Sequence, residues 1–481
     1  MTGAGGRAPP ARRIAKERQM KVKKKRIFGL IACLALCCFS ACGKQALPQG
    51  SSPAQTAGPE GLLHTGAAPF HMVSTVDITS YGSGNEKGFY EVFENEDHSK
   101  NIMYTDYETQ KQIYLCAQPN CTHQDERCTS WIAPQEEIVT PVVLDENLLL
   151  VHNSTEAAPY IEILNLDGTD KKLLYQFAAN TEIVNGIAYN GQAIALMTRQ
   201  YDNTDPAAVK VRFALVGIRL ADQQATELYA YEPQEGNVTK AGGGSIFLMG
   251  TTADGFVCET ILLQSYSTES NDPETIAENM KAATRHEVFL IPFDGTAPKA
   301  LFACQEGQGF EMATGQRLFL LQAGEGGALC VSEVDTATAA KRVIVPDLKR
   351  SNLAGLFDGH GMDNIGIMGL VNDQLMLNFE ASSSYNQHGD IEVIIRCVSV
   401  DTVTGELQEN TLTNYYNATK VPVFVLAQAG DYLLVQAEVK NVKPAGQQVF
   451  TVERSLGLIS KEDYLASKPN YKMIDSIRKA G

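Results

Sequence analysis

The chain has 481 residues, far more than the ~150 of an ordinary single core, which predicts several domains or one large repeat architecture. Hydrophobic residues make up 44% and charged residues 20%, and this composition excludes a wholly disordered chain. The formal net charge of −16 argues against a protein that binds the phosphate backbone of nucleic acids, so we expect no nucleic-acid partner.

The first part of the chain has the features of an export signal. Lys21 to Arg26 (KVKKKR) is a basic run, and the apolar stretch from Ile27 to Phe39 follows it directly. This stretch is shorter than the ~20 apolar residues that span a bilayer, so we interpret residues 1–41 as a signal peptide rather than a permanent membrane helix. Met20 stands directly before the basic run and would start a complete signal by itself.

A cysteine ends this signal. Phe39-Ser40-Ala41-Cys42 resembles the lipobox of bacterial lipoproteins, with Phe39 where Leu is more usual. The resemblance implies that a diacylglyceryl group is attached to Cys42 and that cleavage leaves this residue as the mature N-terminus. It also implies a protein held by its lipid at the extracytoplasmic face of the cell membrane. An uncleaved N-terminal anchor or an ordinary secretory signal is the alternative.

Residues 42–69 are interpreted as the lipidated N-terminus and a flexible linker. Gly43 to Pro69 is rich in Gly, Pro, Ser, Ala and Gln and contains no aromatic residue, so it buries too little apolar surface to fold. Residues 1–41 hold ten of the 40 Lys and Arg but only one of the 56 acidic residues, so the rest of the chain is strongly acidic. Anionic lipid headgroups repel a strongly acidic domain. We therefore expect the covalently attached lipid, not a basic surface, to hold the protein at the membrane.

From residue 70 onward, short apolar runs alternate with turn residues, as in YIEILNLDGTDKKLLY at 160–175 and VFLIPFDGTAPKALF at 288–302. Each run predicts a strand, a tight turn and a second strand. An acidic residue marks such a hairpin at each of the following positions: Asp106, Asp167, Asp222, Asp294, Asp335, Asp401 and Glu453. Four short strands per interval predict an all-β fold, a β-propeller of seven blades (within a range of six to eight) over residues 70–481.

One stretch departs from the strand pattern. In residues 272–284, Asp272 stands where an N-cap belongs, and Pro273 follows at the first helical position before a run of good helix formers. This predicts a short helical insertion in a blade loop. An irregular polar loop is the alternative.

The repeat pattern as a whole resembles a TolB-like β-propeller. Residues 105–131 (TDYETQKQIYLCAQPNCTHQDERCTSW) are similar to a segment of clostridial lipoproteins in which a strand ending in Leu-Cys runs into Pro-x-Cys-x-His and a further Cys. That family has no settled biochemical activity, so the resemblance implies a fold and a location rather than a reaction.

This segment contains the one cluster of chemistry-bearing residues, namely Cys116, Cys121, His123 and Cys128. Three thiols and an imidazole are ligands that tetrahedral Zn²⁺ takes in closed structural sites, which have no open position for a catalytic water. Cysteines outside the cytoplasm also commonly pair, and any two of these three would close a small disulfide loop. The sequence leaves structural zinc and a local disulfide open. The later cysteines stand singly in strand-like runs, where buried, inert thiols are expected: Cys258, Cys304, Cys330 and Cys397.

The sequence contains no Gly-x-Ser-x-Gly elbow, no phosphate-binding loop and no His-Glu-x-x-His pair. We therefore expect a binding or scaffold module whose loops take a protein, peptide or glycan ligand. A second hypothesis is an extracellular enzyme acting on glycans or peptides, with carboxylates contributed by several blades. A third hypothesis is the substrate-binding subunit of an importer. It ranks last because such proteins alternate strands with long helices, and candidate helices are scarce in this sequence.

Overall fold

The computed structural model describes residues 68–74, 82–134, 138–154, 157–202, 210–232, 244–263, 272, 275–276, 278–279, 284–304, 309–314, 317–360, 365–385, 391–416, 419–442 and 451–477. The predicted signal peptide at 1–41, the lipidation site Cys42 and the predicted linker up to residue 67 lie outside the described residues. Within the described part of the chain, no helix has the length and apolar character needed to cross a bilayer.

The described residues form seven small sheets, each a blade of a seven-bladed β-propeller. Blade 1 contains β2 (Ser83–Gly84), β3 (Gly88–Glu94), β4 (Lys100–Asp106), β5 (Lys111–Tyr114) and β6 (Trp131–Ile132). Blade 2 contains β7 (Ile138–Val143), β8 (Asn147–Asn153), β9 (Tyr160–Asn165) and β10 (Lys172–Gln176). Blade 3 contains β11 (Thr181–Tyr189), β12 (Ala193–Asp202), β13 (Lys210–Arg219) and β14 (Ala225–Tyr231), and it is joined by β1 (His71–Ser74).

The next two blades repeat the four-stranded plan. Blade 4 contains β15 (Gly244–Thr251), β16 (Gly255–Leu263), β17 (Thr284–Pro292) and β18 (Lys299–Cys304). Blade 5 contains β19 (Gly309–Thr314), β20 (Arg317–Ala323), β21 (Leu329–Asp335) and β22 (Lys341–Val345). Short 3₁₀ turns lie at Glu325–Gly327, Leu348–Arg350 and Ala354–Leu356.

The last two blades are more elaborate. Blade 6 contains β23 (Ile365–Val371), β24 (Gln374–Tyr385), β25 (Ile391–Asp401), β26 (Leu407–Asn410), β27 (Thr413–Tyr416) and β28 (Thr419–Pro422). Blade 7 contains β29 (Val425–Ala429), β30 (Tyr432–Val442), β31 (Thr451–Ser460) and β32 (Lys472–Met473), with the short helix α1 (Lys461–Leu465) between the last two strands. The final strand, β33 (Asp475–Ser476), pairs in parallel with β5 of blade 1.

The hydrophobic core lies between neighbouring blades, because each sheet buries its apolar face against the next one. Between blades 1 and 2, for example, Tyr90 and Ile102 pack in one cluster with Leu148 and Leu164, all at most 4% exposed. The same arrangement closes the ring, since Phe89 of blade 1 packs with three leucines of blade 7 in a further cluster. Burying both faces of each sheet in this way supplies the main hydrophobic stabilisation of the fold.

Six of the seven predicted hairpin markers lie at the turn between the third and fourth strands of a blade. Asp167 accepts hydrogen bonds from the N–H and the hydroxyl of Thr169, at 3.0 and 2.6 Å, and Asp294 does the same with Thr296, at 2.9 and 2.6 Å. These bonds hold the pKa of Asp167 below its ordinary value. The seventh marker is wrong, because Glu453 lies within β31 and pairs with the opposite strand instead of forming a turn.

The predicted helical insertion at 272–284 is only partly within the described residues. Thr275 and Ile276 have helical backbone, and the Ile276 N–H donates to the Asp272 carbonyl at 3.1 Å. The Asp272 carboxylate also accepts from the Thr275 side-chain hydroxyl at 2.9 Å. Most of the remaining positions lie outside the described part of the chain, and Thr284 already begins β17.

The first strands of the blades meet around the axis of the ring, as the contacts of β11 with β15 and of β15 with β19 demonstrate. Strand β1 pairs antiparallel with β11 on this inner side, with His71 opposite Tyr189, and it contacts β7 and β15. The preceding residue, Phe70, is buried against Phe256 and Phe293, with ring centroids 5.1 and 5.8 Å away. The start of the described chain is therefore fixed inside the ring rather than at its rim.

Candidate metal centre

The cysteine-rich segment interrupts the outer strand of blade 1. Strands β5 and β6 both pair with β4, one along each half of it. The Leu115 N–H donates to the Ile102 carbonyl at 2.9 Å, and the Ile102 N–H donates to the Ser130 carbonyl at 2.8 Å. The Thr129 hydroxyl also donates to the Leu115 carbonyl at 3.1 Å. Residues 116–129 thus leave the sheet and return to it at the same point on β4.

The structure brings together all four residues that the sequence singled out. The ligand atoms of Cys116, Cys121, His123 and Cys128 all lie within 4.8 Å of one another. Ligands about 2.3 Å from a tetrahedral zinc ion lie about 3.8 Å apart, so this spacing fits a single ion. The His123 Nδ1 atom lies 3.2 Å from the Cys128 sulfur. One protein segment therefore supplies a closed set of three sulfurs and one nitrogen.

Two residues with left-handed backbone make this convergence possible. Asn120 has φ 57° and His123 has φ 60°, so the chain turns sharply on each side of Cys121. An asparagine tolerates this conformation, and the His123 carbonyl is held by the Asn101 side-chain amide at 3.0 Å. The His123 ring stacks on Tyr114, with centroids 4.2 Å apart and planes 17° apart. This aromatic support was not predicted, although Tyr114 is part of the same short segment.

Burial and hydrogen bonding set the proton affinity of the cluster. Cys128 is 2% exposed, and burial raises the pKa of its thiol to about 11. Burial also raises the pKa of Cys116, but hydrogen bonds from the Gln118 backbone and from neighbouring side chains outweigh it and leave that pKa below its ordinary value. Burial lowers the pKa of His123, which favours the neutral imidazole that binds metals. A divalent cation would stabilise the thiolate form of these cysteines, above all that of the buried Cys128.

Among the cysteines whose side chains the structure describes, none forms a disulfide. Cys258 and Cys397 are buried in blades 4 and 6, as predicted, and burial raises the pKa of Cys397 to about 12. Cys330 is only half-buried, so the expectation of a buried thiol is wrong there; its thiol donates to the Pro346 carbonyl at 2.8 Å. The side chain of Cys304 lies outside the described part of the structure.

Two open clefts lie at the described surface. One, of about 390 Å³, lies between blades 2 and 3 and is lined by both apolar and charged side chains, including Ile163, Lys172 and Arg219. The other, of about 310 Å³, lies beside blades 1 and 2 and includes Glu86 and Asp145. Neither cleft contains a residue of the four-ligand cluster, which is therefore separate from both.

The chain is similar to known proteins only at the level of solved structures. No protein-family model and no curated protein matches the chain. Among solved structures, a puromycin-hydrolyzing peptidase of Mycobacterium tuberculosis is 12% identical with a TM-score of 0.42, over 85% of this chain and 56% of the peptidase. Oligogalacturonate lyase from Vibrio parahaemolyticus is 8% identical with a TM-score of 0.41, over 81% of this chain and 91% of the lyase. TolB from Acinetobacter baumannii is 12% identical with a TM-score of 0.29, over 80% and 78%.

The chain thus spans just over half the length of the peptidase that it resembles. At these identities the similarities say nothing of activity. The assignment of a seven-bladed propeller rests instead on the strand order and pairing of the seven sheets.

Proposed function

We propose that the protein is a lipid-anchored, extracytoplasmic binding or scaffold protein whose first blade is braced by a structural Zn²⁺. Cys116, Cys121, His123 and Cys128 would hold this ion. The observation that carries the proposal is the convergence of their four ligand atoms within 4.8 Å. A local disulfide needs only two of the three sulfurs, and it would give no reason for the imidazole of His123 to face the Cys128 sulfur at 3.2 Å.

The site supports a structural role rather than a catalytic one. Four protein ligands complete a tetrahedral shell and leave no position for a reactive water. The ligands also lie on a segment whose two ends are both bonded to Ile102, so an ion at this position closes the loop that splits the outer strand. When bound, the ion would crosslink the segment between residues 116 and 128 without any redox chemistry.

A binding role is supported by the architecture and not by any reactive group. Propellers hold their loops on a rigid ring, and rigid scaffolds with variable loops suit recognition of a protein, peptide or glycan. Anchoring at Cys42 is supported by its lipobox-like context and by the linker composition of residues 43–69. The strongly acidic body fits attachment through lipid rather than through a basic face.

The zinc proposal is tested by metal analysis of the full chain purified in detergent. We expect about one zinc per chain, and we expect the Cys121→Ser variant to lose most of it. Cys330→Ser is the matched control, because Cys330 is also half-buried but lies outside the cluster. A protein without zinc in which two of the three cluster cysteines form a disulfide would overturn the proposal.

The anchoring proposal is tested by detergent phase partitioning. Replacing Cys42 by Ser should move the protein from the detergent phase to the aqueous phase, because acylation of that sulfur is lost. Cys38→Ser is the control, since Cys38 lies in the same apolar stretch but not at the end of the lipobox-like sequence. Retention of the Cys42→Ser protein in the detergent phase would contradict lipidation at this residue.

A further inference from the structure

A chain of hydrogen-bonded polar side chains leads from the β3–β4 turn to the candidate metal centre. The Asn95 amide donates to the Ser99 hydroxyl and to the Asn101 Oδ1 atom, each at 2.9 Å. The Asn101 Nδ2 atom lies 3.0 Å from the His123 carbonyl and 3.3 Å from the Ser130 hydroxyl. The Ser130 hydroxyl in turn lies 3.0 Å from the Cys128 sulfur. Asn101, Ser130 and Cys128 are at most 2% exposed.

The donor and acceptor roles in this chain are fixed by chemistry. The His123 carbonyl can only accept, so the Asn101 atom that faces it must be the Nδ2 donor, and its Oδ1 atom then correctly accepts from Asn95. The Ser130 hydroxyl, which accepts from Asn101 Nδ2, lies 3.0 Å from the Cys128 sulfur, and either of these two atoms could donate while Cys128 is a thiol. A thiolate that binds a metal has no proton, so in that form the Cys128 sulfur can only accept from the Ser130 hydroxyl. A sulfur that accepts a hydrogen bond is favoured as a thiolate, the form that binds a metal.

We propose that Asn101 and Ser130 are positioning residues of the metal centre: Asn101 holds the backbone of His123 and orients the Ser130 hydroxyl, which donates to the Cys128 sulfur. Neither residue touches the ion itself. This inference rests on the zinc site proposed above and adds the groups that tune it. Polar groups behind the ligands orient them and raise metal affinity, and removing one typically weakens binding 10- to 100-fold.

Asn101 and its neighbour Ile102 also connect the cluster to the sheet of blade 1. Asn101 lies on β4 opposite Trp131 of β6, and the next residue, Ile102, bonds to both ends of the loop. The hydrogen-bond chain therefore links two ligands, His123 and Cys128, to the one strand that holds both ends of the segment. If Asn101 and Ser130 only stabilised the sheet, replacing them would leave the metal affinity of the cluster unchanged.

The test compares zinc affinity in the full chain by competition with a chelator of known affinity. Ser130→Ala should bind zinc about 10- to 100-fold more weakly than the unaltered protein. Ser332→Ala is the matched control, because Ser332 is fully buried like Ser130 but lies on β21 of blade 5, outside this hydrogen-bond chain. Ser130→Thr keeps a hydroxyl and should retain affinity close to that of the unaltered protein.

The absorption spectrum of the cobalt-substituted protein reports on the ligand sulfurs, and a loss of stability alone would not change it. The sulfur-to-cobalt charge-transfer band should shift in Ser130→Ala but not in Ser332→Ala, because only the first variant removes a hydrogen bond to a ligand sulfur. If Ser130→Ala does not fold, Asn101→Asp is measured in the same way, since a carboxylate cannot donate to the Ser130 oxygen or the His123 carbonyl.

The outcomes separate the two proposals. Failure of the unaltered protein to bind zinc would overturn the metal site and with it this inference. Tight zinc binding by the unaltered protein, with unchanged affinity and an unchanged cobalt spectrum in Ser130→Ala, would overturn the positioning role alone. Weaker binding in Ser130→Ala with recovery in Ser130→Thr is the expected result.

Discussion

Arg454 in β31 of the last blade forms an ion pair with Glu91 in β3 of the first blade, across 363 residues of chain. The Glu91 side chain is 1% exposed and that of Arg454 is 18% exposed, so this pair lies inside the seam that closes the ring. Glu91 also accepts from the Gln112 amide at 2.5 Å. The seam continues along the final strand, where the Ser476 hydroxyl donates to the other end of the Gln112 side chain. Charge, hydrogen bonds and strand pairing thus close the propeller together.

Replacing Glu91 by Gln should lower the free energy of unfolding by about 3 kcal/mol, because the mostly buried Arg454 guanidinium then loses its carboxylate partner. Chemical denaturation of the full chain measures this. Asp125→Asn is the matched control, since the Asp125–Arg127 pair is exposed and its loss should leave the unfolding midpoint unchanged. Equal effects of the two substitutions would contradict the role of the Glu91 pair in ring closure.

The turn of blade 2 that contains Gly168 packs against the base of the cysteine-rich loop. Gly168 has φ 87°, and a Cβ atom there would lie 2.6 Å from the Leu115 carbonyl. Gly168→Ala should therefore cost about 3 kcal/mol, from left-handed strain and from the clash together. Gly191→Ala isolates the strain, because Gly191 has φ 85° with open space around it and should cost about 1 kcal/mol. A cost at Gly168 no larger than at Gly191 would show that the two blades do not pack here.

The Glu162–His152 pair of blade 2 predicts a dependence of stability on pH. Burial raises the pKa of Glu162, but the 3.0 Å contact with His152 outweighs it, and the folded-state pKa lies below the ordinary 4.5. A lowered folded-state pKa stabilises the fold above the unfolded pKa, and this contribution is lost as pH falls through the folded value. Glu162→Gln should thus lower the thermal midpoint at pH 7 and have much less effect near pH 3.

The control for this measurement is Glu94→Gln, because the Glu94–His98 pair is exposed on both sides. Its midpoint should follow that of the unaltered protein at both pH values. A Glu162→Gln penalty of the same size at pH 3 and pH 7 would exclude an ionised Glu162 as its source.

Oxidation without metal should distinguish the three cluster cysteines. Cys116 and Cys121 are half-buried, whereas Cys128 is 2% exposed, so a thiol oxidant reaches the first two more readily. After chelation and mild oxidation, peptide mass spectrometry should find a Cys116–Cys121 disulfide with Cys128 still reduced. Addition of zinc beforehand should protect all three. A disulfide that includes Cys128 as the first product would contradict the accessibility that the structure assigns to it.

Much of the fold was predictable because its turns are chemically explicit. Asp167 and Asp294 mark hairpins since a short carboxylate accepts from the backbone two residues ahead. Glu453 failed as a marker because no such turn chemistry follows it, and β31 continues to Ser460, which caps α1 instead. The pairing of β1 with β11 was not predictable, because nothing local specifies contact between strands more than a hundred residues apart.

The residues of the candidate metal centre were predictable from the sequence, but their geometry was not. The ligand types and their closeness in sequence pointed to Cys116, Cys121, His123 and Cys128. The spacing gave no sign that the loop splits an outer strand, because β6 has only two residues. Asn101 and Ser130 could not be predicted, because the sequence does not show which polar residues in or beside a strand face the four-residue cluster.

X-ray absorption at the zinc edge of the full chain tests the central claim most directly. The spectrum should report one zinc ion with three sulfur ligands at about 2.3 Å and one nitrogen ligand at about 2.0 Å. A first shell dominated by oxygen, or one with fewer than three sulfurs, would contradict a closed centre formed by these four residues.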